Sequence, residues 1–226
     1  MAIRSVGGVA IHVVDEPARL AGGWLARFAS EGAQIALSGG NTVGEAYDAA
    51  AELLSDWEGA HAWFGDERAV PPDDEHSNYR LVKERLLDRL QAQPEVHRIR
   101  GELGADAAAA AYDRELDGVA FDLALNGIGS DGHTASLFPG APALDERERR
   151  AVAAEPGLEP FVHRVTLTPP AFAATRLLVY LATGSGKAEA VRRAFAEAPS
   201  PMTPASLVRG QETIAILDEA AASELP

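Results

Sequence analysis

The chemistry of this chain concentrates in four short segments, each following an apolar run. The most informative is Asn126-Gly127-Ile128-Gly129-Ser130-Asp131-Gly132-His133-Thr134-Ala135-Ser136. A carboxylate near an imidazole can orient the ring and raise its basicity, the arrangement of a general base. A histidine inside a glycine turn has little core to support, so Asp131 and His133 form the candidate catalytic pair. Residues 127–132 also spell G-x-G-x-x-G, the dinucleotide-binding fingerprint. Three features argue against a dinucleotide. The turn lies mid-chain. Leu137-Phe138-Pro139-Gly140 breaks the helix that should follow. No strand ending in an acid follows at ~20 residues, where the ribose contact belongs.

The second segment is Ser38-Gly39-Gly40-Asn41-Thr42. Its glycines let a ligand approach the backbone, and a helix beginning there offers free N–H groups to a phosphate. The same residues also suit a plain strand-to-helix turn with Asn41 or Thr42 as N-cap. The third, Gly65-Asp66-Glu67-Arg68, places three charges directly after an apolar strand. By itself that pattern reads as a solvent-facing loop, with Ser77 capping the next helix. The fourth, Thr183-Gly184-Ser185-Gly186-Lys187, opens a helix but is no Walker A loop, because Leu181 stands where the first glycine belongs. Lys187 falls in a first helical turn, where the macrodipole disfavours a cation. It is one of two lysines among 20 basic residues. It is therefore either a solvated surface lysine or one that meets an anion.

Composition narrows the field. With 34 acidic against 20 basic residues the formal charge is −14, which disfavours binding to nucleic acid or anionic membranes. The absence of cysteine removes disulfides, thiol nucleophiles and cysteine zinc sites, and fits a reducing cytoplasm. In-chain spacing suggests no metal site among the six histidines. No G-x-S-x-G elbow occurs, which disfavours a serine hydrolase. No run approaches the ~20 apolar residues of a membrane span, and the N-terminus reaches charge and proline too early for a signal peptide.

These segments need a scaffold, and the hydrophobic pattern describes one. Strands are predicted at Val9–Val14, Gln34–Ser38, Ala60–Phe64, Phe121–Asn126, Val162–Leu167, Arg176–Thr183 and Thr213–Asp218. Helices are predicted at 17–30, 42–55, 77–91, 105–117 and 186–197. Near-continuous apolar strands alternating with helices imply an α/β fold, a Rossmann-like open and mostly parallel sheet with helices on both faces. Residues 1–226 read as one domain with at most a small appended subdomain, and 138–142 as an irregular excursion. In such sheets ligands bind beyond the carboxyl ends of the strands, where all four segments fall.

In this order the segments resemble the 6-phosphogluconolactonase family. The resemblance runs through Ser38–Thr42, Gly65–Arg68 with Val70-Pro71 and Ser77-Asn78-Tyr79, the stretch Gly127–Gly140, Gly184 with Lys187-Ala188-Glu189, and Pro204–Gly210 with Leu217-Asp218. Asp131-Gly132-His133-Thr134-Ala135-Ser136 is its most specific part. Ser130 departs from the acid often found there, and the last strand lacks an aromatic residue before Leu217-Asp218. The resemblance implies hydrolysis of 6-phospho-D-glucono-1,5-lactone to 6-phosphogluconate, in the oxidative pentose phosphate pathway, without metal or organic cofactor. It implies a small-molecule partner only, with a monomer or weak dimer expected.

On this reading His133, oriented by Asp131, takes the proton of the attacking water, and N–H donors of the 127–132 turn meet the oxyanion. Ser38, Gly39, Gly40, Asn41, Thr42, Asp66, Arg68 and Lys187 form the expected substrate- and phosphate-binding set. Arg68 is assignable to either the phosphate or the lactone end. Free phosphate is expected against Gly39, Gly40, Arg68 and Lys187, with His133 several ångströms away. Two alternatives stand beside this: an amino-sugar-phosphate isomerase or deaminase, and a non-catalytic sugar-phosphate sensor. The first is disfavoured because no carboxylate lies between His133 and Asp145.

Overall fold

The computed structural model describes residues 2–226. Its centre is an eight-stranded sheet built from β1 (Ala2–Val6), β2 (Val9–Val13), β3 (Gln34–Leu37), β4 (His61–Phe64), β6 (Glu95–Val96), β7 (Leu123–Gly127), β10 (Leu177–Ala182) and β11 (Glu212–Leu217). The spatial order is β1-β2-β11-β10-β7-β3-β4-β6. Every neighbouring pair is parallel except β1 with β2. All six residues of β10 are buried, which explains its unbroken apolar run: a central parallel strand is covered on both faces.

The flanking helices follow from amphipathic spacing. α1 (Pro17–Ser30) starts with proline, whose missing N–H costs nothing at that position, and buries Ala21, Leu25, Phe28 and Ala29. α1 packs on α2 (Asn41–Leu53), and both lie against β7 and β10. α3 (Asn78–Arg85) is capped by Ser77, whose hydroxyl accepts from the Arg80 N–H at 3.2 Å, as the sequence suggests. It stops short of the expected 91, because the chain turns inward to bury Leu86 and Leu87. α4 (Ala105–Glu115) carries the alanine run, and α6 (Ala188–Phe195) sets Phe195 edge-on against Tyr180 of β10.

One expectation changes. The strand predicted at Val162–Leu167 is β9 (Arg164–Leu167), and it lies outside the parallel sheet. It is the middle strand of a small antiparallel sheet, between β5 (Asp66–Arg68) and β8 (Ala151–Ala154). This is the small appendage. Gly65 stitches it to the main sheet: its N–H donates to the Leu37 carbonyl at 2.7 Å, and its carbonyl accepts from Leu167 N–H at 2.8 Å. Short helices α5 (Pro169–Ala173) and α7 (Pro204–Leu207) complete the chain. Among the described residues no helix is long and apolar enough to cross a membrane.

Candidate active site

The strand order fixes where a ligand can enter. From β3 the chain builds outward through β4 to β6, then returns to β7 and builds the other way through β10 to β11. The reversal between β3 and β7 is a topological switch point, which opens a crevice at the strands' carboxyl ends. A cleft of about 220 Å³ lies there, lined by Ser38, Gly39, Gly40, Asn41, Thr42, Asp66, Arg68, His133 and Lys187 among others. All the residues of the expected binding set therefore meet around one space.

His133 leaves the end of β7 on a tight turn. Gly129 N–H donates to the His133 carbonyl and Gly132 N–H to the Gly129 carbonyl, both at 2.9 Å. A Cβ at Gly129 would stand 2.0 Å from His133 Nδ1, so only glycine lets the ring fold back over the turn. There Nδ1 meets Asp131 Oδ1 at 2.6 Å, and the same oxygen accepts the His133 backbone N–H at 3.0 Å. Burial opposes charge on Asp131, but these bonds from His133 outweigh it and hold the carboxyl below its ordinary range. Asp131 thus stays ionised and accepts from Nδ1–H, leaving Nε2 as the basic nitrogen. The N–H groups of Gly129, Gly132 and His133 are bound within the turn, so any oxyanion donor it offers comes from its other N–H groups.

The turn is pinned from below by Asn126, wholly buried at the end of β7. Its amide donates to Thr134 Oγ1 and its carbonyl oxygen accepts from Ser38 Oγ, each at 3.1 Å. Side chains thereby bridge the switch point beneath the cleft. Ala135, which also lines the cleft, has φ 49°, an uncommon conformation for a residue with a Cβ.

The charges after β4 are not a solvent-facing loop, which is the second correction. Asp66 and Glu67 are 5% and 2% exposed. Asp66 accepts from Ser136 Oγ at 2.6 Å and Asn78 Nδ2 at 3.0 Å. Glu67 accepts four donors: the N–H groups of Arg68, Asn78 and Tyr79, and the Ser77 hydroxyl. Burial nevertheless pushes its carboxyl up. These acids fasten β5 to the start of α3 and to the stretch after His133, so they are anchors. Arg68, partly buried, points its guanidinium to the His76 carbonyl while Nε has no partner.

A residue that the sequence patterns do not single out stands beside it. Arg164, in β9, is 4% exposed and lines the cleft. Burial lowers its basicity and the Arg68 charge lowers it further. Among the described residues no carboxylate lies within ion-pair distance of either guanidinium, and Nε of Arg164 is also unpaired. The Phe138 ring holds His133 at 4.9 Å on one contact and the Arg164 guanidinium at 5.4 Å on another. A signal does exist in the sequence: a charged residue inside the predicted strand Val162–Leu167.

On the opposite side, Gly40 occupies the cap position of α2 with φ 112°, a backbone that L side chains avoid. Neither Asn41 nor Thr42 is the N-cap, and no side chain caps this 13-residue helix, so its first N–H groups face the cleft free. Thr42 Oγ1 and Thr183 Oγ1 lie 3.3 Å apart, which brings the Lys187 loop to the same place. Lys187 is half-buried; burial lowers its pKa, and Asp131 partly opposes that.

The sequence over residues 17–216 matches the profile of the family described as glucosamine-6-phosphate isomerases/6-phosphogluconolactonase. The chain belongs to this family. A 6-phosphogluconolactonase from Mycobacterium leprae is 38% identical over 215 residues, 88% of this chain and 87% of that protein. A 6-phosphogluconolactonase from Trypanosoma cruzi has a solved structure that superposes with TM-score 0.81 at 29% identity, covering 100% of this chain and 98% of that one. A monomeric glucosamine-6-phosphate deaminase superposes with TM-score 0.81 at 22% identity, over 96% of this chain and 99% of that one, which shows the common fold alone.

Both chemistries in the family's description handle a sugar phosphate, and they need different groups. An isomerase needs a free carboxylate or similar base over a C–H bond. Among the described residues the only carboxylate lining the cleft is Asp66, and its oxygens are occupied by Ser136 and Asn78. The lactonase branch needs a base for water and cations for an oxyanion and a phosphate, and those are the groups present.

Proposed function

We propose that this chain hydrolyses 6-phospho-D-glucono-1,5-lactone to 6-phospho-D-gluconate, with His133 as general base. The observation that carries this is the 2.6 Å contact of His133 with ionised Asp131, in a cleft that Arg68, Arg164 and Lys187 also line. Nε2 of His133 removes a proton from water as its oxygen attacks C1. The imidazolium so formed is stabilised by Asp131. As the tetrahedral adduct collapses, the ring C1–O bond breaks and His133 returns the proton to the departing oxygen. Arg164, sharing Phe138 with His133 and carrying an unpaired Nε, faces the oxyanion. The phosphate sits on the free N–H groups at the start of α2, with Arg68 on one side and Lys187 on the other.

The charge balance favours this placement. A chain of net charge −14 repels an anionic substrate unless a local positive cluster draws it in. Three cations and a helix N-terminus around one cleft supply that cluster.

Two measurements test the proposal. Turnover of freshly prepared lactone, after subtraction of its spontaneous opening, is expected well above background. No enzymatic rate, with aldose–ketose interconversion of an amino-sugar phosphate instead, would move the chain to the other branch. A crystal soaked in phosphate is expected to hold the anion against Gly39, Gly40, Arg68 and Lys187. An anion directly against His133, with Ser38–Thr42 vacant, would exchange the two ends of the substrate.

A further inference from the structure

We propose that His61, Glu95 and His97 bind one divalent transition-metal ion of the Zn²⁺ class, at the end of the sheet remote from the cleft. His61 opens β4 and Glu95 opens β6, and the two are paired in register. His97 lies two residues beyond Glu95, so the strand's alternation puts it on the same face. No in-chain spacing announces the site, because 34 residues separate His61 from Glu95; only sheet pairing assembles it.

The distances suit an ion. His61 Nδ1 and His97 Nε2 are 3.1 Å apart, Glu95 Oε2 lies 3.6 Å from His61 Nδ1, and Glu95 Oε1 lies 3.6 Å from His97 Nε2. A tetrahedral site with bonds of ~2.0–2.1 Å places its ligand atoms ~3.3–3.4 Å from one another, and rotation of the exposed Glu95 carboxylate brings one oxygen to that spacing. The surroundings orient the ligands. Glu115, the last residue of α4, meets His97 Nδ1 at 3.0 Å. That carboxylate holds the proton on Nδ1 and leaves the Nε2 lone pair facing His61 and Glu95, the outer-shell pattern of metal-bound histidines. Trp63 stacks on the His97 ring at 3.8 Å with planes 6° apart, and its own indole N–H is fixed by Gln34 at 2.6 Å.

A hydrogen bond between two neutral imidazoles accounts for the 3.1 Å approach, but not for a carboxylate on each side of His97. On binding, the ion takes His61 Nδ1 while the ring's proton moves to Nε2, and the site's exposed Glu95 side leaves the fourth position to water. Two imidazoles and one carboxylate suit Zn²⁺ and its neighbours rather than Mg²⁺ or Ca²⁺. The ion clips the two-residue edge strand β6 to β4 and, through Glu115, to α4. His61 is three residues, about 10 Å, from the cleft end of β4, so the role is stability and not turnover.

The test is calorimetric titration of chelator-treated full-length protein with Zn²⁺, with the thermal midpoint followed in parallel. Wild type and His133→Ala are each expected to bind one equivalent at this site and to melt higher with Zn²⁺. Glu95→Gln and His61→Asn should bind at least about tenfold more weakly and lose the rise in midpoint; Glu115→Gln should bind about 10–100-fold more weakly. Glu95 is largely exposed, so Glu95→Gln should fold and turn over lactone as wild type does, which separates lost ligation from lost structure. Co²⁺ should quench Trp63 fluorescence in wild type and not in Glu95→Gln. Absence of Zn²⁺ binding in wild type, undiminished binding in Glu95→Gln and His61→Asn, or binding that disappears only in His133→Ala would overturn the proposal.

Discussion

Asp66 lines the cleft and Asp131 backs His133, which also lines it, yet the two carboxylates do opposite work. Asp131 is about a third exposed, and its side-chain bonds run only to His133, two residues away. Asp66 is buried, and its partners, Asn78 and Ser136, are 12 and 70 residues away. A carboxylate with one local partner is tuned by that partner and tunes it in return. A carboxylate saturated by distant groups is a fastener, whose removal strands those groups. The glycine turn therefore holds chemistry, and the strand after β4 holds the fold that presents it.

The sharpest way to break this contrast is to mutate each region and ask which observable moves. His133→Ala should lose about 10²–10⁴-fold in kcat, the usual contribution of one acid–base group, with the thermal midpoint nearly unchanged. Near wild-type turnover, after background subtraction, would remove His133 from the mechanism. In the strand the order reverses. Glu67→Ala leaves three backbone N–H groups and the Ser77 hydroxyl without their acceptor in a buried site. We expect a loss of about 3 kcal/mol in chemical denaturation, with residual activity tracking the folded fraction. A stable Glu67→Ala protein with kcat reduced as severely as His133→Ala would erase the distinction.

The two regions also differ in how far their amino-acid order alone gives them away. The turn is legible because its geometry is local: Gly129, Asp131, Gly132 and His133 specify the fold-back within five residues. The parallel strands β3, β4, β7 and β10 are legible for a similar reason, as each is an apolar run ended by glycine or polar residues. β5 and β9 are not. Asp66 and Glu67 read as a surface loop, because what keeps them buried is contributed by α3 and by Ser136, which sequence distance conceals. Arg164 escapes notice because its role depends on Arg68 being beside it, a neighbour supplied by strand pairing. The pair His61 and His97 is hidden in the same way.

A smaller effect is expected at the phosphate. Lys187→Ala should raise KM for the phosphorylated lactone about tenfold with kcat changed less, and leave the weak reaction of unphosphorylated gluconolactone almost as it was. Equal losses on both substrates would move Lys187 to the reacting carbonyl, into the company of Asp131 and His133, and would enlarge the chemical region at the expense of the binding one.

The smallest effect is a pH dependence, and it reads Lys187 directly. In the free protein burial lowers the Lys187 pKa below the ordinary 10.5, with Asp131 opposing only in part. A phosphate dianion placed beside the ammonium favours the charged form, so binding raises that pKa. A ligand that raises a group's pKa binds best when the group is already protonated. Affinity for 6-phosphogluconate should therefore be flat below the free-protein pKa and fall several-fold as pH rises through it, in a window below 10.5. Below about pH 6 the phosphate itself gains a proton, so the measurement belongs above that limit. Guanidinium groups do not titrate in this range. Lys187→Met should bind more weakly at neutral pH and show no decline across the window. The same decline in Lys187→Met would assign it to another group, and a flat wild-type profile would take Lys187 off the phosphate.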